Sequence, residues 1–219
     1  MDKAFWQDRW QRQEIGFHQP RVHEQLSRFW PTLDLAPEST VFVPLSGKSR
    51  DMLWLAEQGH RVVGVELSGI AVSAFFEESG LRAERRIEGT FEVCTADCFT
   101  IHKGDFFELS AKALEAIAAV YDRAALIALP ADMRSRYAAA LGRILPHKAV
   151  ILLIAINYPE HEITGPPFAV PPQEIDRLFG KEFDIAILET RDGLAASDNL
   201  RKRGVTRLDE TVYLLRRRR

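Results

Sequence analysis

Short apolar runs alternate along this chain with segments in which apolar residues recur every three or four positions. The runs have the length of β-strands, whereas the intervening segments have the period of amphipathic helices. Seven runs are predicted to be strands, at residues 41–45, 62–66, 91–96, 116–121, 149–156, 183–188 and 212–215. Strands alternating with helices indicate an α/β fold: one doubly wound domain with a mostly parallel seven-stranded sheet and helices on both faces.

Residues 1–35 precede the first strand, and their first 30 residues are rich in aromatic side chains. Trp6 and Trp10 are four positions apart and therefore share a face if this segment is helical. Aromatic rings at a chain start either dock on the core or cover a flat ligand, and the spacing favours the core. Residues 157–171 form a second unusual segment, which is long for a loop in a compact domain and is predicted to be functional.

The best-defined unit is residues 41–66, where the pattern predicts strand, turn, helix, turn and strand. Gly47 lies in the turn after the first strand, and Glu66 ends the second strand 19 residues later. In nucleotide-binding α/β folds, an acidic residue at this spacing accepts hydrogen bonds from the two hydroxyls of a ribose. Glu66 is therefore a candidate ribose ligand.

The turn at Gly47 has four possible interpretations. A P-loop does not fit, because Phe42 stands where that motif requires its first glycine. A dinucleotide site needs three glycines for the pyrophosphate, and only Gly47 is present. A nucleoside cofactor without a phosphate, such as S-adenosylmethionine, needs only the acid and a close turn. A plain βαβ unit with a solvated Glu66 is the fourth interpretation.

The ends of the predicted strands are mostly polar and would meet at one edge of a parallel sheet. These ends are Leu45, Glu66, Asp97, the pair Asp122 and Arg123, and Asn157. Ligands of doubly wound sheets bind at the carboxyl ends of the strands. A polar rim at that edge favours the nucleoside-cofactor interpretation over the plain βαβ unit.

Composition narrows the class of protein. With 219 residues, of which 46% are apolar, the chain is long enough for one domain with a sizeable core. It has no apolar run near the roughly 18 residues of a membrane span, and no apolar stretch follows the charged start as in a signal peptide. Two cysteines make a disulfide framework unexpected, so a cytoplasmic protein is predicted.

Charge and metal-ligand residues indicate no further partner. The net charge is −2, although residues 200–219 hold eight Lys or Arg and two acidic residues. We interpret residues 216–219, all arginine, as a solvated tail rather than a nucleic-acid-binding segment, because the block is short. Scattered histidines, and Cys94 and Cys98 with no second cysteine pair, predict no metal site. The absence of an obvious apolar seam favours a monomer.

Five segments resemble the thiopurine S-methyltransferases, a family of Rossmann-like S-adenosylmethionine-dependent methyltransferases. In chain order they are FWQDRW with IGFHQ, VPLSGKSRDMLWLAEQGHRVVGVELS, VYDRAALIALP, GPPFAVPPQEIDRLFG and ETVYLL. They span nearly the whole chain, and its length is similar to that of the compact bacterial-type members. The resemblance implies one methyltransferase domain over residues 1–219, with residues 1–35 as a helical cover over the cofactor site.

The resemblance also implies roles for individual residues, and for Glu66 it agrees with the spacing. The implied contacts are Trp10 in the cofactor cover, Leu45 beside the methionine part, Glu66 on the ribose, Asp97 and Cys98 flanking the adenine, Arg123 near both cofactor and substrate, and Phe17 on the substrate. There are two notable departures. Ser46 stands where family members usually have cysteine, and Asn199 stands where an arginine thought to face the substrate is expected.

The implied reaction moves a methyl group in line from the sulfonium of S-adenosylmethionine to the sulfur of a thiopurine or related aromatic or heterocyclic thiol, leaving S-adenosylhomocysteine. The donor is already activated by its charge and the acceptor is acidic, so no catalytic acid or base is assigned. Arg123 is expected to act electrostatically, the alternative being a structural ion pair with Asp122. Two other functions stay open: methylation of small thiols, selenium or tellurium species or halides by the same fold, and binding of the cofactor without catalysis.

Overall fold

The alternation of strands and helices is present in the computed structural model, which describes residues 3–16 and 18–218. The strands are β1 (Thr40–Val43), β2 (Arg61–Glu66), β3 (Glu84–Glu88), β4 (Phe91–Ala96), β5 (Phe99–Lys103), β6 (Ile117–Arg123), β7 (Val150–Asn157), β8 (Phe183–Asp192) and β9 (Asp209–Arg217). The α-helices are α1 (Lys3–Gln11), α2 (Glu24–Phe29), α3 (Arg50–Glu57), α4 (Gly69–Glu78), α5 (Ala131–Ile144), α6 (Pro172–Phe179) and α7 (Asp198–Lys202). The chain divides into two compact units, one ending at Tyr121 and one beginning at Asp122.

The first unit is built on a mixed sheet with the strand order β3-β4-β5-β2-β1-β6. The pairs β5-β2, β2-β1 and β1-β6 are parallel, as predicted, and β1 is joined to β2 through α3. Val41, Phe42, Val62 and Val65 are buried in the two central strands. Strands buried on both faces need apolar residues at successive positions, which is why the sequence shows continuous apolar runs here rather than alternation.

Two strands of this sheet, β3 and β5, are additional to the seven predicted. All five residues of β3 are exposed, and four of the five are charged, so the strand has no apolar pattern. β3 and β4 form an antiparallel hairpin, and β4 in turn pairs antiparallel with β5. A mostly parallel sheet with Asp97 at the same edge as Glu66 was predicted, and this is wrong for residues 91–96, because β4 is antiparallel to both of its neighbours.

Two of the N-terminal aromatic residues, Trp10 and Trp30, pack inside the first unit, in agreement with the core interpretation. Trp10 and Trp30 are buried, and the Trp30 indole N–H donates to Nε2 of His60 at 2.9 Å. Asp51, in the first turn of α3, is also buried and accepts two hydrogen bonds. Its partners are the backbone N–H of His23 at 2.8 Å and the hydroxyl of Tyr121 at 2.9 Å. The segment before α2 is therefore fastened to α3.

The second unit contains the antiparallel strands β7, β9 and β8, in that order, with α5, α6 and α7. Seven of the eight residues of β7 are buried, in agreement with its continuous apolar run. An ion pair joins α5 to α6: the Arg134 guanidinium donates to both carboxylate oxygens of Glu174, at 2.9 and 2.8 Å. A third donor of Arg134 reaches the Leu129 carbonyl at 3.1 Å, so this buried cation is well satisfied.

The arginine run at the C-terminus is not a free tail, which corrects the sequence analysis. Residues 216 and 217 belong to β9, and Arg217 donates to the carbonyls of Leu145, at 3.1 Å, and Gly142. The same guanidinium forms an ion pair with Glu182 at 2.8 Å. Arg217 thus satisfies carbonyls at the C-terminal end of α5, where a cation is also favoured by the helix dipole. Arg219 lies outside the described residues.

No helix in residues 3–16 and 18–218 is long and apolar enough to cross a membrane.

Arg217→Ala is expected to reduce the free energy of unfolding by about 1–2 kcal/mol, because carbonyls at the end of α5 lose a charged donor. The matched control is Arg216→Ala, an exposed arginine on the same strand, for which a change below about 0.5 kcal/mol is expected. Urea denaturation followed by circular dichroism measures both values. Equal effects of the two substitutions would contradict the capping role.

Candidate active site

The turn after β1 has a strained backbone. Leu45 has φ +46°, in the left-handed region that a residue with a β-carbon seldom adopts, and Gly47 follows with φ +54°. Ser49 then caps α3, its hydroxyl accepting from the backbone N–H of Asp51 at 3.2 Å. A non-glycine residue held in this conformation costs on the order of 1–2 kcal/mol, and such strain concentrates at ligand sites. The turn is therefore the first component of the candidate site.

Glu66, at the carboxyl end of β2, faces this turn and is buried. Its carboxylate accepts from the backbone N–H of Gly47 at 2.8 Å and from that of Ser68 at 2.7 Å. Burial raises the pKa of Glu66, although backbone N–H donors including these two act in the opposite direction. A carboxylate has about four acceptor positions, so the oxygens keep capacity for further donors such as two hydroxyls. Gly47 and Glu66, which the spacing singled out, are thus joined by a direct hydrogen bond that was not predicted.

Ser46 packs against Gly64 of β2, next to the hydrogen bond between Gly47 and Glu66. The Ser46 backbone N–H donates to the Val65 carbonyl at 2.9 Å, and the Ser46 side chain lies over Gly64. A β-carbon at Gly64 would stand 2.9 Å from Ser46 Oγ, closer than side chains normally approach. The Ser46 hydroxyl is buried and has no hydrogen-bond partner among the residues that the structure describes. Gly64 therefore leaves the space that lets the turn sit close to β2.

Asp97 and Cys98 do not lie at this edge of the sheet, so their predicted position beside Glu66 is wrong. They form the turn from β4 into β5, with Asp97 at φ +49°. Because β5 runs parallel to β2, with Phe99 opposite Val62, this turn is at the amino end of β2. Four residues of strand separate that level from Glu66, which corresponds to about 13 Å. The error follows from the antiparallel β4, which ends at the opposite edge from β2.

The residues that do follow the carboxyl end of the neighbouring strand are Gly104 and Asp105, which the sequence analysis did not select. Lys103, the last residue of β5, pairs with Glu66, and the Gly104 backbone N–H donates to the Glu66 carbonyl at 2.9 Å. Asp105 then caps a short 3-10 helix by accepting from the N–H of Phe107 at 3.0 Å. The signal was weak, because β5 has the mixed sequence FTIHK and was not predicted as a strand.

Trp10, predicted to belong to the cofactor cover, lies at the Gly47 turn. A β-carbon at Gly47 would be 3.4 Å from Cζ2 of the indole, so the ring and the turn are in close proximity. The structure thus brings together Trp10 of α1, the turn of residues 45–47 and Glu66. Phe17, predicted to contact the substrate, lies outside the described residues.

Arg123, the last residue of β6, is half-buried and belongs to the second unit. The neighbouring Asp122 is buried and accepts from the Tyr137 hydroxyl at 2.7 Å and from the Leu126 N–H at 3.2 Å. Burial raises the pKa of Asp122 to about 6. The hydrogen bonds of Asp122 therefore go to α5 and to its own turn.

The proline-rich loop of residues 157–171 is tethered within the second unit. The Tyr158 hydroxyl donates to the Pro167 carbonyl at 2.6 Å, and the Arg203 guanidinium donates to the Pro166 carbonyl at 2.8 Å. Further along the loop, Glu162 accepts from the backbone N–H of Thr206 at 2.9 Å. The loop is thus held to the segment that follows α7, as well as to its own first residues.

The predicted departure at Asn199 lies in α7, where the side chain is exposed. Of the two arginines near it in the sequence, Arg201 pairs with Asp198 at 2.5 Å, and Arg203 binds the proline-rich loop. These contacts are structural, and they give Arg201 and Arg203 partners inside the second unit.

Comparison with solved structures identifies the fold. The chain is similar to a SAM-dependent methyltransferase from Anabaena variabilis, with a TM-score of 0.66 and 14% identity over 99% of this chain and 95% of that one. It is also similar to the 1,6-didemethyltoxoflavin-N1-methyltransferase of Burkholderia thailandensis, solved with S-adenosylhomocysteine, with a TM-score of 0.65 and 14% identity over 99% and 87% of the two chains. The fold is therefore the Rossmann-like fold of S-adenosylmethionine-dependent methyltransferases.

Sequence comparison then gives the family. Residues 1–218 match the family model described as Thiopurine S-methyltransferase (TPMT), and the chain belongs to this family. It is 49% identical to a thiopurine S-methyltransferase of Azotobacter vinelandii over the full length of both chains. Identity to that of Nitrosospira multiformis is 47% over 98% of each chain. The resemblance stated from the five sequence segments is confirmed.

The residues of the turn fit the cofactor of this class. A buried carboxylate with remaining acceptor capacity suits two ribose hydroxyls, and the turn has no anion cradle of the kind that a phosphate requires. In the part of the chain that the structure describes, no group of three or more His, Cys, Asp or Glu could hold a metal ion.

Gly64→Ala is expected to reduce the free energy of unfolding by about 1–3 kcal/mol, because the new methyl group overpacks the contact with Ser46. Gly69→Ala is the control: a β-carbon there meets only the flexible Lys103 side chain, at 3.5 Å, so a neutral or slightly stabilising effect is expected. Adding Ser46→Ala to Gly64→Ala removes the closest atom and should recover part of the loss. Chemical denaturation measures all three variants, and absence of recovery would contradict this packing account.

Arg203→Ala is expected to make residues 160–170 more accessible to protease, because the loop loses one of its tethers. We expect cleavage to be faster by about two- to fivefold, as for the loss of an exposed charged hydrogen bond. Arg207→Ala, which removes an exposed arginine paired with Asp209 at 2.8 Å, serves as the control. Limited proteolysis with mass-spectrometric mapping distinguishes the two, and equal cleavage rates would show that Arg203 does not restrain the loop.

Proposed function

We propose that this protein transfers a methyl group from S-adenosylmethionine to the sulfur of a thiopurine or of a related aromatic or heterocyclic thiol. The observation that carries the proposal is the hydrogen bond between the Gly47 N–H and the buried carboxylate of Glu66, in a chain that is 43–49% identical along its length to thiopurine S-methyltransferases. In support of the proposal, this hydrogen bond holds the carboxylate that we propose as the ribose acceptor beside a strained turn at the carboxyl end of β2. The family supplies the acceptor class.

Residues of the first unit are proposed to hold the cofactor. Glu66 accepts hydrogen bonds from the ribose hydroxyls, and the turn at Leu45 lies beside the methionine part. Trp10 and the rest of residues 1–35 cover the bound nucleoside, since the indole is already held at Gly47. Gly104 and Asp105 replace Asp97 and Cys98 as the proposed neighbours of the adenine, because they follow the strand next to Glu66.

The chemistry demands positioning more than proton transfer. The bound sulfonium supplies an activated methyl group, and an acidic thiol is partly ionised near neutral pH. The methyl–sulfur bond of the cofactor breaks as the new bond to the acceptor sulfur forms, and the electron pair remains on S-adenosylhomocysteine. Alignment alone can lower such a barrier by about 7–11 kcal/mol in favourable cases.

Arg123 and Phe17 are proposed to act on the acceptor. Arg123 stays protonated, so its role is electrostatic: it attracts or orients a thiolate without exchanging a proton. Phe17 is proposed to pack on the flat ring of the acceptor, as the family resemblance implies. The tethered loop of residues 157–171 is proposed to move over the acceptor. The hydrogen bond from Arg203 to the Pro166 carbonyl is the tether that would break during this movement.

We further propose that the protein works as a monomeric single domain in the cytoplasm. Cys94 and Cys98 are free thiols, in keeping with a reducing compartment. Arg217 of β9 is engaged in structural contacts, which supports a small molecule rather than a nucleic acid as the partner.

Methyl transfer from labelled S-adenosylmethionine to 6-mercaptopurine is expected for the wild-type protein. Glu66→Gln is expected to weaken S-adenosylhomocysteine binding by about 100-fold, because the ribose loses two bonds to a charged acceptor. Glu57→Gln, at an exposed position of α3, is the control and should bind like the wild type. Calorimetry measures binding, and radiometric product analysis measures transfer.

The two measurements separate the parts of the proposal. Binding without transfer to any thiopurine would contradict the acceptor class and direct a search to small thiols, selenium or tellurium species and halides. Absence of binding would contradict the cofactor site. Unchanged binding by Glu66→Gln would contradict the ribose role alone.

Affinity for S-adenosylhomocysteine is also expected to depend on pH through Glu66. Burial raises the pKa of this carboxyl, so it takes up a proton at higher pH than an exposed glutamate does. Protonation removes acceptor capacity, and affinity should therefore fall as the pH is lowered toward and through that pKa. Calorimetry between pH 7.5 and 5 tests this, and the dependence should be absent in Glu66→Gln.

A further inference from the structure

The turn that follows β6 is organised around a buried carboxylate. Asp122 is 1% exposed, and one of its oxygens accepts from the Leu126 backbone N–H at 3.2 Å, bridging the turn. Within the turn, Ala124 has φ +65°, a left-handed conformation that is unfavourable for a residue with a β-carbon. A conformation of this kind persists only where its surroundings enforce it. The bond from Asp122 to Leu126 spans the strained residue and supplies that constraint.

The second oxygen of Asp122 is fixed from α5. Tyr137, which is fully buried, donates its hydroxyl to this oxygen at 2.7 Å. Burial and the adjacent carboxylate raise the pKa of Tyr137 well above its ordinary value, so the hydroxyl remains a donor. The side chain of Asp122 therefore has one orientation, set by a helix on one side and by the turn on the other.

Burying a carboxylate in this way is costly for stability. The raised pKa of Asp122 reflects that cost, and an apolar residue of similar size would avoid it. The carboxylate fixes the backbone conformation of residues 122–126. Arg123, a half-buried charged residue, lies within this segment. In this arrangement the buried Asp122 side chain acts on its neighbour Arg123 through the backbone of the turn.

We infer that Asp122 and Tyr137 form a positioning pair, which fixes the backbone of residues 122–126 and thereby the direction in which the Arg123 side chain leaves the strand. The inference rests on the proposed function in so far as Arg123 acts on the acceptor sulfur. Neither Asp122 nor Tyr137 contacts the acceptor in this scheme. Their effect on the reaction passes through Arg123.

A double-mutant cycle tests this dependence. Tyr137→Phe is expected to lower kcat/KM for 6-mercaptopurine about tenfold, which corresponds to one hydrogen bond to a charged group. The affinity for S-adenosylhomocysteine should change by less than about twofold, which is no more than the usual scatter between independent variants. In an Arg123→Ala background, Tyr137→Phe should cause no additional loss of kcat/KM. The same tenfold factor in both backgrounds would overturn the inference, as would no loss in the wild-type background.

A control variant separates positioning from general loosening of the core. Tyr213→Phe removes another buried hydroxyl of the second unit, one that is hydrogen-bonded to Thr211 in β9. It should leave kcat/KM unchanged when assayed well below its thermal midpoint. If Tyr137→Phe does not fold, Asp122→Asn is tested in the same cycle instead. The amide oxygen of the asparagine still accepts from the Leu126 N–H, whereas its NH2 group cannot accept from the Tyr137 hydroxyl.

A spectroscopic readout keeps the test independent of the acceptor. The Nε–H signal of Arg123 in a ¹⁵N-labelled protein is assigned by its loss in Arg123→Lys. This signal should shift in Tyr137→Phe and remain in place in Tyr213→Phe. An unmoved signal in Tyr137→Phe overturns the positioning pair, whether or not thiopurines are substrates. A shifted signal in a protein that does not methylate 6-mercaptopurine upholds the pair and contradicts the proposed acceptor instead.

Discussion

The first unit depends on the hydrogen bond between the Gly47 N–H and the Glu66 carboxylate. A buried carboxylate is unfavourable unless donors compensate it, and here the donors are backbone N–H groups of the two turns that follow β1 and β2. The bond therefore fixes both turns at once. Gly47 supplies a left-handed backbone, and Gly64 supplies the space behind it. The carboxylate proposed as the ribose acceptor is thus held in place by the protein's own donors, which would reduce the ordering cost of binding.

Much of the first unit could be predicted because its chemistry is local in the sequence. The strand, glycine turn, helix and acidic strand end of residues 40–66 follow one another, and their spacing predicts the parallel βαβ unit that the structure shows, although not the hydrogen bond between Gly47 and Glu66. The same holds for the buried strand β7, whose continuous apolar run reflects cover on both faces. Family resemblance added the cofactor and the acceptor class, which spacing cannot specify.

The incorrect prediction for Asp97 arose because the location of a strand end depends on the direction in which the strand runs. Asp97 ends an apolar run just as Glu66 does, but the direction of a strand is set by hydrogen bonds to its neighbours, and the run itself does not encode it. β3 escaped prediction because an exposed edge strand needs few apolar residues. β5 escaped it because its five residues, FTIHK, mix buried apolar and polar side chains without a clear run. Arg217 of β9 looked like part of a solvated tail for a related reason: its partners, the carbonyls of residues 142 and 145, are about 70 residues away in the sequence.

Buried Tyr–Asp hydrogen bonds occur at two successive residues of β6, and they show why polar groups are retained in this core. The Tyr121 hydroxyl donates to Asp51 in the first unit, and Asp122 accepts from Tyr137 in the second. Apolar residues of similar volume would avoid the cost of burying these carboxylates, so stability alone does not account for them. Both pairs fix segments implicated in function: Asp51 also holds His23, which belongs to the proposed cofactor cover of residues 1–35, and Asp122 holds the turn of Arg123. The reaction needs alignment of the reacting groups more than acid–base chemistry. The buried carboxylates Asp51 and Asp122 accordingly fix the backbone, and neither is proposed to contact the substrate.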